Sequence, residues 1–133
     1  MVEKEQDKNS KTSPLAPKPL QKSILELIAL AQNYKKIKKG ANEATKTLNR
    51  GITDLIILAA DAEPLEILLH LPLLCEDKNI PYVFVSSQKN LGKACGVNRP
   101  VIACSILKED RGQKNWEKQM LDIRSQIEKL MYS

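Results

Sequence analysis

The residues best suited to chemistry form one short run, Lys38-Lys39-Gly40-Ala41-Asn42-Glu43-Ala44-Thr45-Lys46. Two lysines precede a glycine that stands where the sequence predicts the start of a helix. The first turn of a helix carries free backbone N–H groups and the positive end of its dipole, and both attract phosphate. Asn42 and Glu43 lie four and three positions before Lys46, so all three side chains can point the same way.

Glu43 indicates what this run could recognise. A carboxylate repels phosphate, so Glu43 suits a nucleic-acid site only if it accepts hydrogen bonds from a base edge, and guanine offers N–H donors for this. Asn42 can donate and accept, while Lys38, Lys39 and Lys46 would hold the backbone. The run therefore predicts an RNA-reading helix end. Spacing alone leaves open a solvated helix in which Asn42 lies near the cap and Glu43 pairs with Lys39 or Lys46.

A second candidate is the loop Gly96-Val97-Asn98-Arg99-Pro100. Arg99 can stack on a base or contact phosphate, and Val97 offers apolar surface to a ring. The alternative is an ordinary connector in which Pro100 sets the entry to the next strand. Aromatic residues are only 4% of the chain, so no platform of stacking rings is available. Recognition must then come from loops and helix ends.

Alternating helices and short strands must position these residues. Residues 1–20 are charged and rich in proline, which predicts a flexible tail ahead of a domain at 21–133. Apolar spacing predicts a helix from Gln21, a second from Gly40 to a C-terminal cap at Gly51, and a last one from about Gln113. The last helix would bury one apolar stripe, which consists of Trp116, Met120, Ile123, Ile127, Leu130 and Met131. Apolar runs predict strands at 52–60, 82–85 and 101–107, and we expect helices to start at Asp61 and at Ser86 or Ser87. This order predicts a single-domain, three-layer α/β/α sandwich with a small mixed central sheet.

Composition limits the classes of function. The net charge is +5, with 21 Lys and Arg among 16 Asp and Glu, which suits a polyanionic partner reached through a local patch. The three cysteines form no C-x-x-C pair and lie in apolar stretches, so we expect buried free thiols and no metal. No phosphate loop, dinucleotide motif or nucleophile triad is present, so we expect neither an enzyme nor a cofactor. No apolar run is long enough to span a bilayer.

Longer motifs resemble a known family. Residues 40–51, 59–77, 94–97 and 99–104 are similar to the signature of the kink-turn-binding ribosomal-protein superfamily, and the resemblance is strong over about residues 20–107. It implies an α/β/α fold bound to a kink-turn, an RNA bend built on tandem sheared G·A pairs. It also implies that Asn42, Glu43 and Lys46 contact the guanines and the nearby backbone, with Gly40 allowing close approach.

The resemblance implies a pocket for a base that is flipped out of the bend. Glu63, Ile67, Val97 and Arg99 would line it. Gln88 stands where the family has a lysine, with Lys89 beside it, and Asn98 also departs from the family pattern. The full set of expected RNA-binding residues is Lys38, Lys39, Gly40, Asn42, Glu43, Lys46, Arg50, Glu63, Ile67, Gln88, Lys89, Val97, Asn98 and Arg99.

The resemblance further implies a non-catalytic subunit of the nucleus and nucleolus that is a monomer when free. Its RNAs would be a spliceosomal snRNA 5′ stem-loop and box C/D snoRNA, for pre-mRNA splicing and for rRNA 2′-O-methylation and processing. Its protein partners would be Nop-domain scaffold proteins and, through them, the fibrillarin methyltransferase. The alternatives are a ribosomal or H/ACA-type paralogue of the same fold, or a protein-interaction scaffold.

Overall fold

A computed structural model describes residues 14–132 of the 133-residue chain. Within them, helices and strands alternate after the first helix. In chain order they are α1 (Lys18–Asn33), β1 (Ile37–Lys39), α2 (Ala41–Arg50), β2 (Thr53–Ala59), α3 (His70–Lys78), β3 (Tyr82–Val85), α4 (Gln88–Ala94), β4 (Ala103–Leu107) and α5 (Glu117–Tyr132), and a 3₁₀ turn (Leu65–Leu68) precedes α3. None of the helices in this part of the chain has the length and apolar content needed to cross a membrane.

The four strands form one mixed sheet in the order β1-β4-β2-β3. Strand β2 runs parallel to β3, while β4 runs antiparallel to both β1 and β2. As a result β1 ends at Lys39, β2 at Ala59 and β3 at Val85 on the same side of the sheet where β4 begins at Ala103. We call this side the loop edge, and the segments that follow or precede these four residues meet there.

Helices cover both faces of the sheet, which confirms the predicted three-layer α/β/α fold. Successive strand residues point to opposite faces, so Leu55 and Ile57 pack with α1, α4 and α5, whereas Ile56 and Leu58 pack with α2 and α3. Trp116 is 1% exposed in the first cluster, as its helical spacing predicted. The apolar stripe of the last helix is shorter than expected, because Met131 is exposed.

The predicted boundary between tail and domain at residue 20 differs from the structure. Helix α1 begins at Lys18. Pro17 occupies the N-cap position, and Pro19 is tolerated in the first turn because backbone N–H groups there have no intrahelical partner. The preceding residues join the sheet, since Phe84 N donates to Pro14 O and Ala16 N donates to Phe84 O, both at 2.9 Å. The remainder of the predicted tail, residues 1–13, lies outside the described residues.

Strand β1 was not predicted. Its three residues include Lys38 and Lys39, and so short and basic a segment gives no apolar alternation. Pairing with β4 creates the strand, with Lys39 opposite Cys104.

The predicted helix start at Asp61 is wrong. The chain instead makes a 3₁₀ turn, and α3 begins at His70. Pro72 lies in the first turn of α3, where a missing N–H costs no intrahelical bond, so it does not split the helix.

The last helix also begins later than residue 113, because the Glu109 carboxylate accepts hydrogen bonds from Asn115 N at 2.6 Å and Trp116 N at 3.1 Å in the turn before it.

Candidate nucleic-acid interface

Gly40 joins β1 to α2 at the loop edge. Its N–H donates to Ala103 O at 2.7 Å, and its carbonyl accepts from Ala44 N at 3.0 Å as the first bond of α2. The φ of Gly40 is 99°, a backbone conformation that side-chain-bearing residues rarely adopt. A Cβ there would meet nothing within 4 Å, so the glycine is required by its dihedral angles, and the space beside it is open. No side chain caps this helix end, which leaves its N–H groups available to an anion.

One face of α2 carries the side chains predicted to read RNA. Asn42 and Lys46 are exposed and Glu43 is half-buried. Lys46 Nζ lies 3.4 Å from Glu43 Oε2, with 64% and 42% of the two side chains exposed. The free chain therefore forms a solvated Glu43–Lys46 ion pair, which was the alternative that the spacing of these residues left open beside RNA recognition. Such pairs contribute under about 1 kcal/mol, so a ligand can displace it at little cost. Arg50 lies one turn beyond Lys46, at the far end of the helix.

The basic residues next to this helix end are not neutralised. Lys38 is exposed and Lys39 is half-buried on β1. Within residues 14–132, ion pairs join only Lys36 to Asp110 and Lys46 to Glu43. Lys38 and Lys39 thus have no carboxylate within 4 Å in this part of the chain, and they add positive charge beside the open N–H groups of α2.

Gln88, the first residue of α4, is hydrogen-bonded to Asp61 in the loop after β2. Gln88 N donates to Asp61 Oδ1 at 2.9 Å, and Gln88 Nε2 donates to Asp61 O at 3.1 Å. Asp61 therefore binds the first N–H of α4, where sequence reasoning placed it as the cap of the preceding helix. Ser87 also caps α4, as predicted, by accepting from Asn90 N at 3.1 Å. Lys89, next to Gln88, is exposed.

The loop that carries Arg99 rests directly on α4. A Cβ on Gly92 would lie 2.1 Å from the carbonyl oxygen of Arg99, so only a glycine allows this contact. Val97 N donates to Gly92 O at 3.1 Å, and Val101 N donates to Gln88 O at 3.0 Å. Asn98 and Arg99 are exposed at the loop edge, and Val97 is half-buried. Sequence reasoning missed Gly92, although a glycine inside a predicted helix is a signal of close packing.

The residues expected to line one pocket are only partly brought together. A shallow depression is lined by residues 62–66, which include Glu63. Ile67 is 45% exposed one residue beyond this segment, but it does not line the depression. Val97 and Arg99 lie on the separate loop before β4. The structure thus places all four residues in segments that meet the loop edge, and of the four only Glu63 lines the depression.

The three cysteines and the single histidine are buried or hydrogen-bonded to a neighbour. Cys75, Cys95 and Cys104 are free and buried, as predicted. Burial raises the pKa of Cys75 to about 12. A hydrogen bond with Cys95 and burial raise the pKa of Cys104, and the same hydrogen bond lowers the pKa of Cys95. His70 Nε2 lies 2.9 Å from Thr45 Oγ1. Residues 14–132 hold no group of three or more His, Cys, Asp or Glu side chains that could bind a metal ion. The arrangement is suited to binding.

Residues 22–114 match the family described as "Ribosomal protein L7Ae/L30e/S12e/Gadd45 family". "NHP2-like protein 1" of Rattus norvegicus is 58% identical over 127 residues, which cover 96% of this chain and 98% of that protein. "Small nuclear ribonucleoprotein associated homolog 13" of Caenorhabditis elegans is 59% identical over 123 residues, or 92% and 94% of the two chains.

A solved structure shares the fold. The "Giardia lamblia 15.5kD RNA binding protein" superposes with a TM-score of 0.85 and 44% sequence identity, covering 90% of this chain and 97% of that one. None of these names describes an enzyme.

Proposed function

The chain belongs to the ribosomal protein L7Ae/L30e/S12e/Gadd45 family, and on that premise we propose that it is a non-catalytic RNA-binding protein that recognises kink-turns. Two relatives support RNA binding by their names, the ribonucleoprotein-associated homologue of Caenorhabditis elegans and the RNA-binding protein of Giardia lamblia. The sequence motifs are similar to one member in particular, the spliceosomal "fifteen-point-five K" protein. The name of the Giardia lamblia protein gives the same size, 15.5kD.

One observation carries the proposal: Gly40 opens α2 at the loop edge with uncapped N–H groups, beside a face that presents Asn42, Glu43 and Lys46. In the proposed complex the N–H groups and Lys38 or Lys39 hold phosphates. Glu43 exchanges its solvated partner Lys46 for the N–H donors of a sheared guanine. Because this exchange needs a guanine edge in the right place, a Watson–Crick helix would not satisfy it.

The remaining loop-edge residues would receive the base that leaves the bend. Glu63 lies in the shallow depression after β2, and Val97 and Arg99 lie on the loop that Gly92 holds against α4. Gln88 is bonded to Asp61, so Lys89 is the better candidate for the contact that the lysine of the family makes in this pocket. RNA binding would bring these two loops to a common ligand.

We further propose the cellular role that the resemblance implies. The RNAs are a spliceosomal snRNA 5′ stem-loop and box C/D snoRNA, and the RNA-bound chain presents a joint surface to Nop-domain scaffold proteins, with fibrillarin reached through them. Its location is the nucleus and nucleolus, which imaging of a tagged chain tests. Sequencing of the RNA recovered with the tagged chain separates this role from that of a ribosomal or H/ACA-type paralogue.

The decisive experiment compares two short RNAs at several salt concentrations. One contains an intact kink-turn, and the other has its sheared G·A pairs replaced by Watson–Crick pairs. We expect the intact RNA to bind more tightly by about 3 kcal/mol, since several base contacts of ~1–3 kcal/mol each are lost in the other. Glu43→Ala should remove this difference.

Glu128→Ala, at an exposed position of α5 outside the set expected to bind RNA, is the matched control, because it removes the same charge. It should keep the discrimination of the unchanged chain. Equal, strongly salt-dependent binding to both RNAs would reject kink-turn recognition and leave only a phosphate-binding surface. In that case the protein-interaction scaffold, which needs no RNA to bind its partner, becomes the better hypothesis.

A further inference from the structure

A shallow apolar groove lies between α1 and α4, on the face of the sheet opposite to α2. Its floor includes Leu25 and Ala29 of α1 and Ala94 of α4. Leu25 and Ala94 pack partly against the core, and Ala29 is exposed. The segment of α1 that lines the groove runs from Lys18 to Ala29, which at 1.5 Å per residue is roughly 16 Å, or about three helical turns.

The polar groups at one end of this groove are already bonded to each other. Gln21 Nε2 donates to Ala16 O at 2.7 Å and to Ser86 Oγ at 2.8 Å. Ser86 N donates to Gln21 Oε1 at 3.2 Å. Because Gln21 and Ser86 are bonded to each other, the surface that remains for a ligand between the charged side chains of the groove is mainly aliphatic. That favours an apolar protein surface over a nucleic acid as its occupant.

The rim of the groove is positive. Lys18 and Lys22 of α1 and Lys93 of α4 line it, against the single carboxylate of Glu26. None of the three lysines has a carboxylate within 4 Å among residues 14–132. The first thirteen residues of the chain hold as many basic as acidic side chains, so they do not complement this rim. The complementary occupant is an acidic segment from another protein.

We propose that this groove binds an acidic amphipathic helix of about three turns from a partner protein. Apolar side chains at helical spacing would cover Leu25, Ala29 and Ala94, and flanking carboxylates would meet the rim lysines. None of the groove's lining residues belongs to the set expected to contact RNA. The groove is therefore a second surface, separate from the proposed RNA interface and independent of the proposed function.

The test uses the full chain without RNA and two fluorescent peptides of about 14 residues, slightly more than three turns. Both contain the same Leu, Ala and Glu residues, but only one places leucines at helical spacing. Measured by anisotropy, the patterned peptide should bind about tenfold more tightly than the scrambled one. The double substitution K22E/K93E should weaken its binding about tenfold or more. NMR amide shifts should change at Leu25, Ala29 and Ala94.

The control substitution is K114E/K118E, which makes the same change in net charge with two exposed lysines outside the groove. It should alter peptide binding less than about twofold. Equal binding of both peptides, or equal loss in both variants, would overturn the proposal, since the lysines would then attract acidic chains without shape. It is also overturned if K22E/K93E weakens binding of kink-turn RNA about tenfold and K114E/K118E does not, because the rim would then serve RNA.

Discussion

At the scale of single residues, Gly92 determines where the loop that carries Arg99 lies. Arg99 has the charge and planarity that suit an RNA contact, but its place depends on a backbone approach that a Cβ at residue 92 would block at 2.1 Å. The obstructing atom is a carbonyl oxygen, so no side-chain movement can relieve it. The position of the Arg99 backbone therefore depends on the absence of a side chain at residue 92.

We therefore predict that Gly92→Ala destabilises the fold and weakens RNA binding together. Either the loop lifts from α4 or the helix shifts, and overpacking of this kind costs about 2 kcal/mol. Urea unfolding measures the stability, and anisotropy with kink-turn RNA measures the binding. Asn90→Ala, at an exposed position of the same helix, is the control and should change the free energy of unfolding little. Equal stability of the two variants would mean that the loop does not rest on Gly92.

At the scale of elements, α2 has a glycine at each end, and the two glycines differ in backbone conformation. Gly51 ends the helix in the left-handed conformation with φ 71°, as its position in the sequence predicted. Gly40 begins it with φ 99° and ψ 154°, in a region that is almost restricted to glycine. Neither position would place a Cβ within 4 Å of another atom, so the cost of a side chain is conformational at both.

The two ends give a paired prediction. Gly51→Ala should lower the free energy of unfolding by about 1 kcal/mol, the cost of a left-handed alanine. Gly40→Ala should cost up to about 3 kcal/mol and should also weaken kink-turn binding, because relief of the strain moves the turn between β1 and α2. Thermal unfolding and RNA titration measure the two effects. If Gly51→Ala damaged RNA recognition as much as Gly40→Ala, recognition would depend on the stability of α2 and not on the geometry of its first turn.

At the scale of the whole molecule, the net charge of +5 is less informative than its distribution. The two described ion pairs leave Lys38 and Lys39 without a carboxylate partner beside the open end of α2, while other exposed lysines, such as Lys114 and Lys118, lie in the segment after β4. Only lysines that contact phosphate release counterions when RNA binds. The salt dependence of binding therefore reports which part of the surface meets RNA.

We predict that K38Q/K39Q lowers the slope of log affinity against log salt concentration by about 1 for each lysine that contacts phosphate. K114Q/K118Q removes the same two charges elsewhere on the molecule and should leave the slope unchanged. Titrations of the same kink-turn RNA over a range of salt concentrations measure both slopes. Equal slopes in the two variants would show that the RNA responds to net charge alone and not to the loop edge.

Several features were predictable from the sequence because they depend on local chemistry. Strand Tyr82–Val85 is a continuous apolar run, Ser87 caps the helix that follows it, and Gly51 ends α2. Apolar spacing also predicted Trp116, Met120, Ile123 and Ile127 as core residues of the last helix. The α/β/α layering follows from such periodicities, since each element must bury its apolar face. The motif from Gly40 to Lys46 was likewise visible as a candidate binding site.

Tertiary structure alone decided the rest. Strand β1 exists because β4 supplies its hydrogen bonds, and Asp61 caps α4 because the parallel pairing of β2 and β3 brings their two following loops together. The contact of Gly92 with Arg99 and the groove between α1 and α4 also join segments distant in the chain. Periodicity reports which face of an element is buried. It carries no information on which neighbour lies opposite, and that pairing assembles the loop edge.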